Sequence, residues 1–365
     1  MTQTLRLIIG SYTHSLPHVE ARGTGISFVD LDTATGRFSL VATHAAIRNP
    51  SYLALDRGHL YAVEELGADE ATLTVFACDT RAARLSPRAK VPAHGAWPCH
   101  IGFDPGRARL FLSNYLDGSF VTWPLDGQGL PHGTPTVLRR TGHGPNPDRQ
   151  DGPHTHFALA TPDGTHVWIC DAGTDEIACY ELTGPSAVAA TPDLVLRAPP
   201  GSLPRHMALS HDGTRLFVVS ELGNLVSTWQ IGPSGAELVG HVPTLAPGHA
   251  VPSSSAAIRV HPSGRFLYSS NRGDDSIAVF DTATATGLPA FLGTFATRGR
   301  TPREFAISDD GGTMVIANQD SHALTALRIA PETGALYPLG EPFAIGSPVC
   351  VAIASSFPPA ASGDL

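Results

Sequence analysis

One hairpin plan recurs along this chain and limits the folds that it can adopt. In residues 202–222 a proline begins a short apolar strand, Asp212-Gly213 marks a reversal, and a second apolar strand ends at the polar Glu221. An Asp-Gly pair between two apolar runs favours a β-hairpin, because glycine adopts positive φ without steric cost. Further copies of the hairpin begin near Pro50, Pro98, Pro153, Ser255 and Pro302. The spacing of roughly 45 to 55 residues is typical of propeller blades.

A third apolar strand follows each hairpin, as in residues 225–229, 276–280 and 323–327. A weaker fourth strand follows a glycine, as at Gly287 and Gly334. Four antiparallel strands in each repeat predict an all-β fold built of propeller blades.

The two ends of the chain complete each other. Residues 5–12 resemble the second strand of a blade, yet no first strand precedes them, and residues 348–353 have the character of that missing strand. We therefore predict a seven-bladed β-propeller in which the C-terminal strand joins the N-terminal blade and leaves no open sheet edge. Because no linker interrupts the repeat, residues 1–365 are predicted to form a single domain.

Composition narrows the partners and the compartment. A net charge of -9 argues against nucleic acid or an anionic membrane as a partner. No apolar run approaches the roughly 20 residues of a membrane helix, and no basic segment with an apolar core begins the chain, so we expect a cytoplasmic protein. The five cysteines are odd in number and lack metal-ligand spacing. Phosphate-binding and dinucleotide motifs are missing, and we expect no cofactor.

The hairpin geometry brings distant side chains to one mouth of the channel, because the start of the first strand and the end of the second lie at the same end. First-strand starts supply basic and imidazole side chains: His100, His154, His156, Arg205, His206 and Arg303. Second-strand ends supply mostly polar side chains: Tyr12, Glu64, Glu65, Asn114, Asp171, Glu221, Asn271, Arg272, Asn318 and Gln319. The other histidines, His18 among them, lie in turns or loops and are expected at the surface.

Three arginines from consecutive blades, Arg205, Arg272 and Arg303, would form a positive patch in an acidic protein. Guanidinium groups bind carboxylate or phosphate through paired hydrogen bonds, so the patch indicates a small anionic ligand. The alternative is that each arginine pairs with a neighbouring carboxylate and holds blades together.

His154 and His156 are two residues apart on a strand, which would direct both side chains to one face. Acid/base catalysis, metal binding with Asp171 or Glu221, and hydrogen bonding of the preceding loop remain open for this pair. Glu221 is either a general base or the counter-charge of the arginines.

Several segments together resemble the seven-bladed propeller lactonase family. They are residues 149–156, 204–206, 220–222, 268–273, 10–13 and 301–305, so the likeness covers nearly the whole chain in the right order. The resemblance implies a metal-independent site at the channel mouth made of one histidine, two arginines and a glutamate. The matching positions are His154 or His156, together with Arg205, Glu221 and Arg272.

From the resemblance and the residues together we expect an enzyme of carbohydrate metabolism that hydrolyses a sugar-acid lactone. The expected reaction is 6-phospho-D-glucono-1,5-lactone to 6-phosphogluconate, a step of the pentose phosphate pathway. Catalysis is assigned to His154, Glu221, Arg205 and Arg272, and contact with a small anionic lactone to His156, His206, Arg303, Asn271 and Asp171. The alternatives are a carboxymuconate cycloisomerase that uses the same arginines, and a propeller that binds partners without catalysis.

Overall fold

The computed structural model describes residues 4–232 and 235–357, and in these residues it contains strands and turns but no helix, hence none that could span a membrane. The strands form seven antiparallel sheets, each with four strands arranged side by side. The first strands are Pro348–Phe357, Leu53–Asp56, Pro98–Phe103, Thr155–Ala160, Pro204–Leu209, Ser254–Val260 and Pro302–Ile307. The second strands are Thr4–Ser11, His59–Glu64, Arg109–Asn114, His166–Asp171, Arg215–Ser220, Phe266–Arg272 and Thr313–Asn318.

The third and fourth strands complete each sheet outward from the channel. The third strands are Ile26–Asp32, Thr72–Asp79, Ser119–Pro124, Glu176–Glu181, Leu225–Gly232, Ser276–Asp281 and Ala323–Ile329. The fourth strands are Phe38–His44, Arg84–Pro92, Thr136–Arg139, Leu194–Arg197, Gly235–Pro243, Ala290–Ala296 and Leu336–Pro338. In the seventh sheet a short extra segment, Phe343–Ala344, also pairs with the third strand.

The seven first strands contact one another in a closed circuit, which arranges the sheets as blades around a central channel. The circuit closes through the C-terminal strand, which pairs antiparallel with Thr4–Ser11 and brings Ile353 opposite Leu7 and Cys350 opposite Gly10. The predicted all-β, seven-bladed propeller and its closure by the C-terminal strand are both confirmed.

The hydrophobic core lies between neighbouring blades. Leu7 packs with Val315 of the seventh blade, whereas the next residue, Ile8, packs with Leu60 of the second blade. Successive side chains of a strand point to opposite faces, so a strand buried on both faces must be apolar without interruption. This requirement explains the continuous apolar runs of the second strands.

The Asp-Gly pairs at residues 163–164, 212–213 and 310–311 lie in the turns between first and second strands, as predicted. At Asp212-Gly213 the glycine has a φ of 71°, and the aspartate Oδ1 accepts a hydrogen bond from the amide of Thr214 at 3.0 Å. The amide of Ser210 donates to the carbonyl of Arg215 at 2.9 Å and closes the loop. These turns lie at the far end of the hairpin, which leaves the opposite end free to form the channel mouth.

Candidate active site

One mouth of the channel holds a cavity of about 550 Å³, a volume typical of small-molecule sites, which are on the order of 300–1,000 Å³. Most of the predicted site residues meet there: His154, His156, Arg205, Glu221, Arg272 and Arg303. His206 lies one layer deeper, beside a small enclosed cavity of about 10 Å³. These six residues therefore converge at one mouth of the channel, as predicted.

Four cavity residues lie on β-bulges of the first strands. The pairing shifts by one residue between Pro98 and His100, and the same shift recurs in three other blades. The residues left out of the ladder, which we name the bulge ring, are Cys99, His156, Arg205 and Arg303. A bulge re-aims the extra side chain, and here it directs each one toward the channel mouth.

Strand alternation was expected to direct His154 and His156 to one face, and the bulge shows that this reason was wrong. His154 precedes the strand that begins at Thr155, and His156 is the bulged residue. Both imidazoles line the cavity, but not because they alternate on one regular strand.

A second set of cavity residues lies at the exits of the second strands. The exit ring, as we name it, comprises Tyr12, Glu65, Tyr115, Glu221 and Arg272. Four of these line the cavity, and Tyr12 is fully buried behind it.

The residue that directly precedes the exit position has a structural role in two blades, as Asp171 and Asn271 show. Asp171 is fully buried and accepts hydrogen bonds from the amide of His154 at 2.8 Å and from Nε of Arg140 at 2.6 Å. Asn271 donates from Nδ2 to the carbonyl of Thr244 at 2.9 Å. The two side chains tie loops to the blades and do not line the cavity.

Glu221 lies among three guanidinium groups. Its Oε1 accepts a hydrogen bond from Nη2 of Arg149 at 2.7 Å, while Oε2 lies 3.1 Å from Nη2 of Arg272 and 3.3 Å from Nε of Arg205. Burial alone would raise the pKa of Glu221, but the charges of Arg272, Arg149 and Arg205 outweigh it and hold that pKa well below its usual range. Glu221 is therefore a weak base and a strong counter-charge.

His154 has a defined tautomer. Its Nδ1 lies 2.8 Å from the carbonyl oxygen of Tyr115, and because a carbonyl can only accept, Nδ1 carries the proton. Its ring stacks on Tyr115 with centroids 4.6 Å apart and planes inclined by 13°. Nε2 lies 3.3 Å from Oδ1 of Asp151, a carboxylate at the exposed rim. The neutral ring offers a lone pair at Nε2, and Asp151 would stabilise the cation formed when Nε2 takes a proton.

His156 and His206 are buried and uncharged. Burial and the positive charge of Arg205 lower the pKa of both imidazoles well below the usual range. Their ring centroids lie 5.2 Å apart, and the Nδ1 atom of each has no hydrogen-bond partner in the described structure. They form an aromatic, polar floor rather than a charged one.

The surroundings of Arg205 disfavour its positive charge. Burial, followed by the positive charges of Arg272 and Arg303, lowers the pKa of Arg205 to about 9, so the group is still charged at neutral pH. Nη1 donates to the carbonyl of Ala256 at 2.6 Å, which anchors the side chain. An anion bound nearby would relieve the repulsion among the three arginines.

Several cavity residues were missed by the sequence reasoning. Arg149, Asp151 and Tyr115 come from loops without strand periodicity, and only the exit-ring position of Tyr115 carries a signal. His18 is exposed, as expected, yet it lines the cavity and packs against Trp97 with ring centroids 5.6 Å apart.

A wider and more open depression of about 840 Å³ adjoins the cavity and shares Pro17 and His18 with it. Its rim includes Arg300, which is exposed and donates to the carbonyl of Asp320 at 3.1 Å. Because neither ring of converging residues reaches this depression, we assign the chemistry to the smaller cavity. In residues 4–232 and 235–357 no three His, Cys, Asp or Glu side chains are grouped as metal ligands.

Comparison with known proteins gives consistent results. The sequence profile of the family "Lactonase, 7-bladed beta-propeller" matches residues 6–353. The 6-phosphogluconolactonase of Bacillus subtilis is 29% identical over 348 residues, which are 94% of this chain and 96% of that protein. The periplasmic gluconolactonase of Pseudomonas aeruginosa superposes with a TM-score of 0.84 at 26% identity, covering 96% of this chain and 99% of the other.

A protein of Lactobacillus plantarum superposes with a TM-score of 0.88 at 28% identity, covering 97% of this chain and all of the other. The family profile and these likenesses extend across the whole propeller and include the blades that form both rings. The chain belongs to the seven-bladed β-propeller lactonase family and is a lactone hydrolase.

Proposed function

We propose that the protein hydrolyses a sugar-acid lactone and that its preferred substrate is 6-phospho-D-glucono-1,5-lactone. The observation that carries the proposal is the arrangement of His154, whose Nδ1 donates to a carbonyl and whose Nε2 lies 3.3 Å from Asp151, in the same cavity as two arginines held by Glu221. The names of the Bacillus and Pseudomonas relatives support a sugar lactone as the substrate class.

The attacking water gives its proton to His154 Nε2 while its oxygen bonds to the lactone carbonyl carbon. Asp151, 3.3 Å from Nε2, stabilises the imidazolium that results. The carbonyl oxygen becomes an oxyanion, and the guanidinium groups of Arg205 and Arg272 stabilise it. The tetrahedral intermediate collapses by breaking the bond to the ring oxygen, and the imidazolium returns the proton to that oxygen. The product is an open-chain carboxylic acid with a hydroxyl group, and the acid releases its proton to the solvent at neutral pH to give the carboxylate.

Glu221 acts in this scheme as a counter-charge and not as the base. Because three guanidinium groups depress its pKa, it holds them in place without competing for the proton of the water. Preorganised charges of this kind lower the barrier because they need no rearrangement in the transition state.

The test is lactone hydrolysis by the purified protein, followed in a pH-stat with the spontaneous rate subtracted. We expect hydrolysis of 6-phospho-D-glucono-1,5-lactone far above background in the parent protein, and unchanged activity in His166→Gln. His166 is a matched control, since it pairs with Asp193 at 3.1 Å and does not line the cavity. Turnover of a carboxymuconate, with no action on any lactone, would refute the proposal and favour cycloisomerisation.

A further inference from the structure

One arginine of the cavity differs from the other three. Arg149, Arg205 and Arg272 each lie against Glu221. Arg303 also lines the cavity, yet no described residue forms an ion pair or a hydrogen bond with its guanidinium group. Its donors are therefore available to a ligand, whereas each of the other three guanidinium groups already faces the carboxylate of Glu221.

We infer that Arg303 is the anchor for the anionic substituent of the substrate, a phosphate or a carboxylate remote from the scissile ester. This inference rests on the proposed function and divides the labour among the arginines. Arg205 and Arg272 act on the reacting carbonyl, and Arg303 determines the preference for charged over neutral lactones.

Arg303 is held in position without a carboxylate partner. Its guanidinium carbon lies 5.6 Å from the ring centre of Tyr12, and the Tyr12 hydroxyl donates to Oε2 of Glu65 at 2.9 Å. Tyr12 and Glu65 are buried, so the ring is a rigid platform for the cation. Burial would lower the pKa of Arg303, but Tyr12, Glu65 and Glu221 outweigh it and raise that pKa, so the group is fully charged.

The balance of charge in the cavity favours an anion. Four arginines face two buried carboxylates, Glu65 and Glu221, which leaves an excess of two positive charges. Asp148 and Asp151 also line the cavity but are exposed to water at the rim, where their fields are screened. A phosphate group of charge near -2 would balance the excess and place oxygens against the free donors of Arg303.

The positions of Arg303 and His154 also suit the two ends of the substrate. Arg303 belongs to the seventh blade and His154 to the fourth, so they approach the cavity from different sides of the ring. In a 6-phosphorylated aldonolactone the carbonyl carbon and the phosphate lie at opposite ends of the molecule. Arg303, like Arg205, lines both the main cavity and the small one next to it, so the anchor lies at the inner side of the main cavity rather than at its open rim.

The experiment compares 6-phospho-D-glucono-1,5-lactone with neutral D-glucono-1,5-lactone in the parent protein, Arg303→Met, Arg303→Lys and Arg300→Gln. For Arg303→Met we expect kcat/KM to fall on the order of 100-fold with the phosphorylated lactone, mainly through KM, and less than roughly 3-fold with the neutral one. Arg303→Lys should recover part of the loss, because lysine keeps the charge but not the paired donors. Arg300→Gln, a nearby exposed arginine, should behave as the parent.

Equal losses with both lactones, or an unchanged ratio between them, would overturn the inference. If Arg303→Met does not fold, as judged by circular dichroism, the ratio in Arg303→Lys decides instead. Thermal denaturation separates this inference from the proposed function: inorganic phosphate should raise the Tm of the parent but not of Arg303→Met, even if no lactone is hydrolysed. Succinate as a parallel probe distinguishes a carboxylate anchor from a phosphate anchor, and stabilisation by neither anion contradicts both.

Discussion

The two walls of the cavity use arginine in opposite ways. On the catalytic wall, which we define as His154, Glu221, Arg149, Arg205 and Arg272, the guanidinium groups converge on one buried carboxylate. On the binding wall, defined as Tyr12, Glu65 and Arg303, the carboxylate accepts from a tyrosine and the arginine keeps free donors. A guanidinium group that is paired with a carboxylate of the protein is held in one position, which suits transition-state stabilisation. A guanidinium group without such a partner can bind the anionic group of a ligand.

The largest effect should come from removing the centre of the catalytic wall. Glu221→Ala leaves Arg205, Arg272 and Arg149 without their counter-charge, and we expect a loss of about 3–5 kcal/mol in the free energy of unfolding. Activity should fall with charged and neutral lactones alike, because Arg205 and Arg272, which stabilise the oxyanion, would no longer be held in place in the variant. Urea denaturation and parallel assays on both lactones measure the two effects. A variant with parental stability would show that the arginines do not depend on Glu221.

Replacement of the base should affect rate without affecting selectivity. For His154→Gln we expect kcat to fall by about 10²–10⁴ with either lactone, while KM and stability stay near the parental values. Steady-state kinetics at saturating substrate gives the answer. A fall in kcat with the phosphorylated lactone alone would place His154 on the binding wall and contradict the division between the two walls.

The floor beneath both walls should respond to acid. His206 is neutral in the fold because burial and Arg205 depress its pKa, so below the unfolded-state pKa of about 6.5 the unfolded chain binds the extra proton. Stability should therefore fall as pH drops below about 6.5, by up to about 1.4 kcal/mol per pH unit for each such histidine. His206→Phe should remove one such contribution, as measured by urea denaturation between pH 7 and 5. Equal slopes in parent and variant would mean that His206 is already protonated in the fold.

The smallest effect should come from the support of the binding wall. Tyr12→Phe keeps the ring under Arg303 but removes the hydroxyl that donates to Glu65. One hydrogen bond is worth about 0.5–1.5 kcal/mol, so we expect a roughly 2- to 10-fold rise in KM for the phosphorylated lactone. The neutral lactone should be unaffected, and an equal change with both would argue that Tyr12 supports the whole cavity rather than one wall.

The fold could be predicted because its signal repeats. The blades repeat one plan of apolar strands, and three of the hairpins carry an Asp-Gly turn, so one misjudged segment does not change the conclusion. The closure by residues 348–353 followed from the same repetition, because the N-terminal blade lacked one strand.

The site was less predictable because one residue decides which side chain reaches the cavity. Asn271 and Arg272 are neighbours at the end of one strand, yet Asn271 ties a loop to its blade while Arg272 lines the cavity. The bulges that expose His156 and Arg205 shift the register by one residue, and simple alternation does not reveal such a shift. Arg149 comes from a long loop whose path depends on tertiary contacts with Glu221 and Tyr115.

The most direct test of the division between the two walls is a crystal structure of the protein with bound 6-phosphogluconate. The account predicts the phosphate against Arg303 on the binding wall, and the carboxylate, which marks the former carbonyl, between His154 and the arginine pair Arg205 and Arg272. Phosphate density beside Arg149 and Arg272, with Arg303 still free of any ligand, would contradict it.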